Sequence, residues 1–135
     1  MAIQLYVLTW EAAELHVAID HKVMTEDRLH EINDFWMDGK DRLDEEGGNV
    51  LDAVLKRLAQ LCFVEQMYHD WNAYGLVKKF DWDDPNCDLE GWPKMDGSAG
   101  ILIVKADGPE IDSGDISIQA SDLDSMPPVP QPASF

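Results

Sequence analysis

Basic residues are scarce in this chain: 10 Lys and Arg stand against 27 Asp and Glu in 135 residues, a formal net charge of -17. A surface that negative repels phosphates, nucleic acid and anionic lipid, and it attracts basic protein surfaces. Direct binding of nucleic acid is therefore not expected, nor is binding to a membrane surface. Long hydrophobic runs are missing too, and no stretch approaches the ~18 apolar residues that crossing a bilayer takes. The opening segment, MAIQLYVLTW, has neither a basic n-region nor an apolar run of export length. Cysteine is limited to Cys62 and Cys87. Two widely spaced thiols without an export signal suggest free thiols in a reducing compartment, so the cytoplasm is the expected location.

Signatures of catalysis are lacking as well. No Ser sits in a G-x-S-x-G elbow, and Gly47-Gly48 lacks the Gly-Lys that would complete a phosphate loop. The four histidines, His16, His21, His30 and His69, show no pair at a metal-ligand spacing such as i, i+4 on one helix. Asp84, Asn86, Asp88 and Glu90 alternate like an EF-hand loop, but Leu89 occupies the position that needs Gly and Met95 the one that needs Glu. Cys62 lies in an apolar helical stretch and reads as a small core residue. Cys87 lies in an acidic loop, surroundings that do not suit a nucleophilic thiol. The expectation is a protein without enzymatic activity, metal or cofactor.

Apolar residues make up 45% of the chain and include five Trp, enough for a packed core. Residues 1–124 read as one acidic domain and the Pro-rich stretch 125–135 as a disordered tail. Residues 3–10 and 13–20 read as a hairpin of two strands around Glu11-Ala12, without Asn-Gly turn chemistry. Thr25 is a fair N-cap for a helix striped by Leu29, Ile32, Trp36 and Leu43, which bends or ends near Gly39. Asn49 caps a second helix, with Asp52 in a capping-box-like position and Gly75 as a left-handed stop. Residues 81–99 read as a long loop, which Trp82 and Trp92 can pin to the body. Ile101–Val104 reads as one further strand and residues 115–120, with Ile116 and Ile118 inward, as another. The element order is ββααββ. The expected fold is α+β: a mainly antiparallel four-stranded sheet with two helices packed on one face.

The segments LHEINDFW at 29–36, GGNVLDAVLK at 47–56 and EGWPKMDGSAGI at 90–101 resemble a family of small acidic proteins encoded by bacteriophages and prophages and classed as a domain of unknown function. That resemblance supplies no site residues. It implies a setting of phage–host conflict inside a bacterial host cell.

The strongest functional signal is where the acids lie. Residues 1–80 hold fifteen acids and eight bases, whereas residues 81–124 hold twelve and two. Glu26, Asp27, Glu31, Asp34, Asp38 and Asp41 fall largely off the apolar stripe of the first helix, and Asp81, Asp83, Asp84, Asp88, Glu90 and Asp96 crowd the loop. The charge exceeds the ~2–8 suited to a small domain and costs self-repulsion. Carboxylates on a stiff scaffold can imitate a phosphate array and occupy a basic groove. The sequence thus predicts an acidic interaction protein that docks on a basic protein surface, that of a nucleic-acid-binding protein being one such target. It would act as an inhibitor of a host defence or nucleic-acid-binding complex. The partner-binding candidates are Glu26, Asp27, Glu31, Asp34, Asp38, Asp81, Trp82, Asp83, Asp84, Asp88, Glu90 and Trp92, with Trp82 and Trp92 as possible hot spots. Two other readings stand beside it: a small-ligand-binding protein or small enzyme with the 81–99 loop as a lid, and an oligomeric structural component of a phage particle.

Overall fold

A computed structural model describes residues 2–83, 87, 89 and 91–131. Strands β1 (Ile3–Trp10) and β2 (Ala13–Asp20) form the expected hairpin, in register from Ile3 opposite Asp20 to Trp10 opposite Ala13. Its two-residue turn places Glu11 at φ 54°. Positive φ at the first turn residue is normally given to glycine. Strand β3 (Ile101–Asp107) pairs antiparallel with the other side of β2, with a register shift at His16/Val17, so the sheet order is β1-β2-β3.

Four helices lie between β2 and β3 in the chain: α1 (Glu26–Phe35), α2 (Gly39–Glu45), α3 (Val50–Tyr68) and α4 (Ala73–Lys79). α3 packs against β1 and β2 and α4 against β3, while α1 and α2 pack on α3. Ala13, Leu15, Val17 and Ile19 of β2, with Ile101 and Ile103 of β3, point into a core that also holds Leu55, Leu58 and Cys62 of α3, Leu76 of α4 and Phe80. The caps are local and legible. The Thr25 hydroxyl accepts from the Arg28 N–H at 3.4 Å, and the Asn49 side chain accepts from the Asp52 N–H at 3.1 Å.

Three expectations need correction. The sheet has three strands, not four, and the order is ββααααβ. Residues 116–120 are exposed and outside any strand; Ile116 and Ile118 are 60% and 90% exposed. Alternation gives that segment two faces but no sheet neighbour. Beyond β3, an isolated bridge from Asp96 to Leu102 takes part of the edge where a fourth strand would pair. Second, the stripe from Leu29 to Leu43 belongs to two helices. Trp36, Met37 and Asp38 separate them, with Asp38 left-handed at φ 67°. Third, Gly75 does not end a helix. It lies inside α4, capped by Asn72 at 2.9 Å, and a Cβ there would come within 2.8 Å of the Trp71 ring. Close approach, not a left-handed stop, is what requires glycine at 75. Residues 125–131 carry no helix or strand. None of the helices described is long and apolar enough to cross a membrane.

Candidate functional site

The break between α1 and α2 is built by one buried polar residue. Asn33 is 2% exposed; its amide donates to the Gly39 carbonyl at 2.9 Å, and its side-chain oxygen accepts from Arg42 Nε at 3.2 Å. Arg42 then donates to the carbonyls of Met37 at 2.7 Å and Asn33 at 2.8 Å. The Asn33 carbonyl lies in the last turn of α1, where no following helical N–H reaches it, and Arg42 takes that place; the Met37 carbonyl lies exposed in the break itself. The Asn33–Arg42 pair therefore fixes the turn that carries Asp34 and Asp38. Neither residue stands out in the sequence as functional. The available signal was Asn33 itself, a polar residue beside Ile32 on the buried stripe.

That framework presents carboxylates outward. Glu26, Asp27, Glu31, Asp34, Asp38 and Asp41 are all exposed. Glu26 approaches His30 at 3.8 Å; the other five form no ion pair among the described residues. Asp38 starts α2 without bonding to its N–H groups, which leaves its carboxylate to solvent.

The loop behaves differently. Lys94 reaches Asp83 at 2.5 Å and Asp81 at 3.5 Å, and Asp83 above all raises the lysine's pKa. Asp81 is half-buried and also accepts the Asp83 N–H at 3.0 Å. Lys94 thus offsets the charge of one of these two candidate loop acids, and the group of three keeps a net charge of about -1. Asp84, Asp88 and Glu90 lie outside the described residues. The tryptophans divide. Trp92 is 4% exposed, packed on Trp36 at 4.9 Å and edge-on to Phe80 at 6.1 Å. Trp82 is 61% exposed, and its indole N–H donates to the Trp92 carbonyl at 2.8 Å. Trp82 is the accessible ring of the two, anchored at one end to the buried one.

Helix α1 and the loop meet. Gly91 has φ 88°, and a Cβ there would fall 2.3 Å from the Phe35 ring, so the loop backbone lies flat on the end of α1. A cleft of about 500 Å³ runs along this seam, lined by Arg28, Glu31, Ile32, Trp82 and Pro93 over the Trp92 floor. The structure therefore joins Glu31 to Trp82 on one face, beside Asp27 and Asp34 of the same helix. Behind this seam, Arg57 of α3 lies 4.6 Å over the Trp36 ring, its pKa lowered by burial and then by Arg42. That stacking holds Trp36 between α3 and Trp92.

Other chemistry is thin. Cys62 is fully buried, and burial, with Glu65 adding to it, pushes its pKa up to about 12. Cys87 is half-buried and lines a separate cleft with His69, Tyr74 and Lys78. His21 is bonded to the Tyr6 hydroxyl at 2.8 Å, and His16 to Glu14 at 3.4 Å. Among the described residues no three His, Cys, Asp or Glu converge as metal ligands would.

Comparison with known proteins agrees with the resemblance seen in the sequence. The profile of a family described as proteins of unknown function (DUF2528) matches residues 14–118. Protein ea10 of Escherichia phage lambda is 47% identical over 121 residues, covering 88% of this chain and 98% of the relative. The lambda prophage-derived protein ea10 of Escherichia coli O6:H1 (strain CFT073) matches to the same extent. No solved structure matches. The chain belongs to this family of phage-encoded proteins of unknown function.

Proposed function

We propose that this is a non-catalytic interaction protein whose α1–α2 face docks on a basic surface of another protein in the bacterial host cell. The observation that carries the reading is the run of exposed carboxylates at Asp27, Glu31, Asp34, Asp38 and Asp41, held by the Asn33–Arg42 lock and engaged in no ion pair among the described residues. Unpaired carboxylates on a fixed backbone keep their field outward, so a cationic surface approaches quickly and in one orientation. Trp82, exposed beside Glu31, supplies the aromatic contact that charge steering alone lacks. The finer form of the proposal is that the carboxylates imitate nucleic-acid phosphates. The protein would then inhibit a host defence or nucleic-acid-binding protein by occupying its basic groove.

The test is a pull-down from host lysate with the wild-type chain, the triple variant Glu31→Gln, Asp34→Asn, Asp38→Asn, and Trp82→Ala, at low and high salt. A specific captured protein should be retained by the wild type at low salt, released by salt, and lost with the triple variant. Capture that ignores both salt and the three carboxylates would overturn the proposal.

A further inference from the structure

Strand β1 reads IQLYVLTW and contains no charged residue, in a chain that is 27% charged. It is also an edge. β2 takes one side, and among the described residues no backbone group of Ile3–Trp10 bonds to anything on the other. Soluble proteins blunt their edge strands with charge, proline, a bulge or a cover. β1 is eight residues long, and its pairing with β2 runs without a register shift.

Both flanks of this edge are mostly apolar, with Lys56 and Gln60 of α3 among the residues lining the second. On the open face of the sheet, Ile3, Leu5 and Val7 are 60%, 56% and 49% exposed, and Leu5 continues a row through Ala18 to Leu102. On the helix side, a groove of about 580 Å³ separates β1 from α3, walled by Trp10, Phe63, Val64 and Met67. Trp10, Val64 and Met67 are each close to half exposed.

We propose that a second copy of this chain fills the edge, β1 pairing antiparallel with β1 about a two-fold axis to make a six-stranded sheet. The charge distribution selects this occupant. Two bodies of net charge -17 repel each other almost everywhere, and β1 is the strand on which they can meet without opposing carboxylates. A basic partner finds no counter-charge on this strand, whereas an uncharged alternating strand is complementary to itself. A pairing that respects the pleat sets Ile3, Leu5 and Val7 of both copies on one face. Side chains on the other face of the added strand then cover the groove over Val64 and Met67. Backbone bonds along the edge supplement a modest apolar area.

This inference uses a different surface from the acidic docking face and has the opposite salt dependence. Salt screens repulsion between like-charged copies, so it strengthens pairing, while it weakens docking on a basic partner. The two therefore fail separately. Sedimentation velocity of the full chain at about 50 mM and about 500 mM NaCl should show a monomer–dimer equilibrium shifted toward dimer by salt. Leu5→Lys or Val7→Lys, each at a half-exposed site, should raise the dimer dissociation constant by at least about tenfold with the circular dichroism spectrum unchanged. Leu102→Lys, on β3 and away from the edge, should leave it within about twofold. A monomer at every salt and concentration overturns the proposal. So does a dimer insensitive to Leu5→Lys and Val7→Lys, or one that Leu102→Lys abolishes, which would mean face-to-face packing.

Discussion

Replacing Asn33 with Leu tests whether the α1–α2 turn, and with it the placement of Asp34 and Asp38, depends on a single buried amide. The change preserves approximate volume and removes two hydrogen bonds. Gly39, which is buried, loses one of two donors to its carbonyl and keeps the Leu43 N–H of its own helix; Arg42 loses the acceptor of its Nε–H. A hydrogen bond between neutral groups contributes about 0.5–1.5 kcal/mol, and one to a charged group about 1.5–3 kcal/mol. Arg42 is only half-buried, so water recovers part of its loss, and the leucine adds roughly 1 kcal/mol of apolar burial. The net expectation is a destabilisation of about 1–2 kcal/mol. Urea denaturation at 25 °C reads it as a midpoint lowered by about 0.5–1 M at an unchanged slope. Arg42→Met should destabilise on its own, and the double variant should fall short of the sum by about 1–2 kcal/mol because the two side chains form one network. A loss under about 0.5 kcal/mol for Asn33→Leu, or strict additivity with Arg42→Met, would refute the claim that this pair fixes the turn.

Three smaller perturbations follow from other parts of the structure. Glu11 holds a left-handed turn position at φ 54°, so Glu11→Gly should stabilise the protein by about 0.5–1 kcal/mol, seen as a raised thermal midpoint. The two thiols should separate kinetically: iodoacetamide at mildly alkaline pH should label half-buried Cys87 promptly, and Cys62, buried with its pKa pushed up to about 12, only at the rate of unfolding. The Asp96 carboxylate accepts from the Ser98 hydroxyl at 2.6 Å and its N–H at 3.0 Å, which holds its pKa below the ordinary range, the hydroxyl bond being the larger cause. A depressed carboxylate contributes stability above its unfolded pKa and loses it as pH falls through the folded one. The wild type's advantage over Asp96→Asn should accordingly be full at neutral pH, begin to fall near about pH 4 and be lost as pH drops through the lower pKa of the folded carboxyl, and a pH-independent difference would contradict this.

What the sequence made legible was local. The β1–β2 hairpin and the caps at Thr25 and Asn49 need only period-two alternation or a side chain reaching three residues along. The exposure of Glu26, Asp27, Glu31 and Asp34 followed from their place off the apolar stripe. What stayed hidden was tertiary. Gly75 and a helix-stopping glycine are the same letter, and only the Trp71 ring against it tells them apart. Residues 115–120 alternate as well as β2 does, yet no sheet edge receives them. Trp82 and Trp92 lie in one loop, and which ring is buried depends on Trp36 and Phe80 from elsewhere in the chain. The pairing of Asp81 and Asp83 depends on Lys94, thirteen and eleven residues along the loop.

The central claim is that the α1–α2 carboxylates make the contact with a cationic protein surface. Its most direct measurement is the affinity of the captured host protein for the wild-type chain and for the Glu31→Gln, Asp34→Asn, Asp38→Asn variant across a salt series. The account predicts that wild-type affinity falls by at least about tenfold between about 50 and 500 mM NaCl, and that the variant binds more weakly with a shallower salt slope. Equal affinities with parallel slopes, or a wild-type affinity flat in salt, would contradict it.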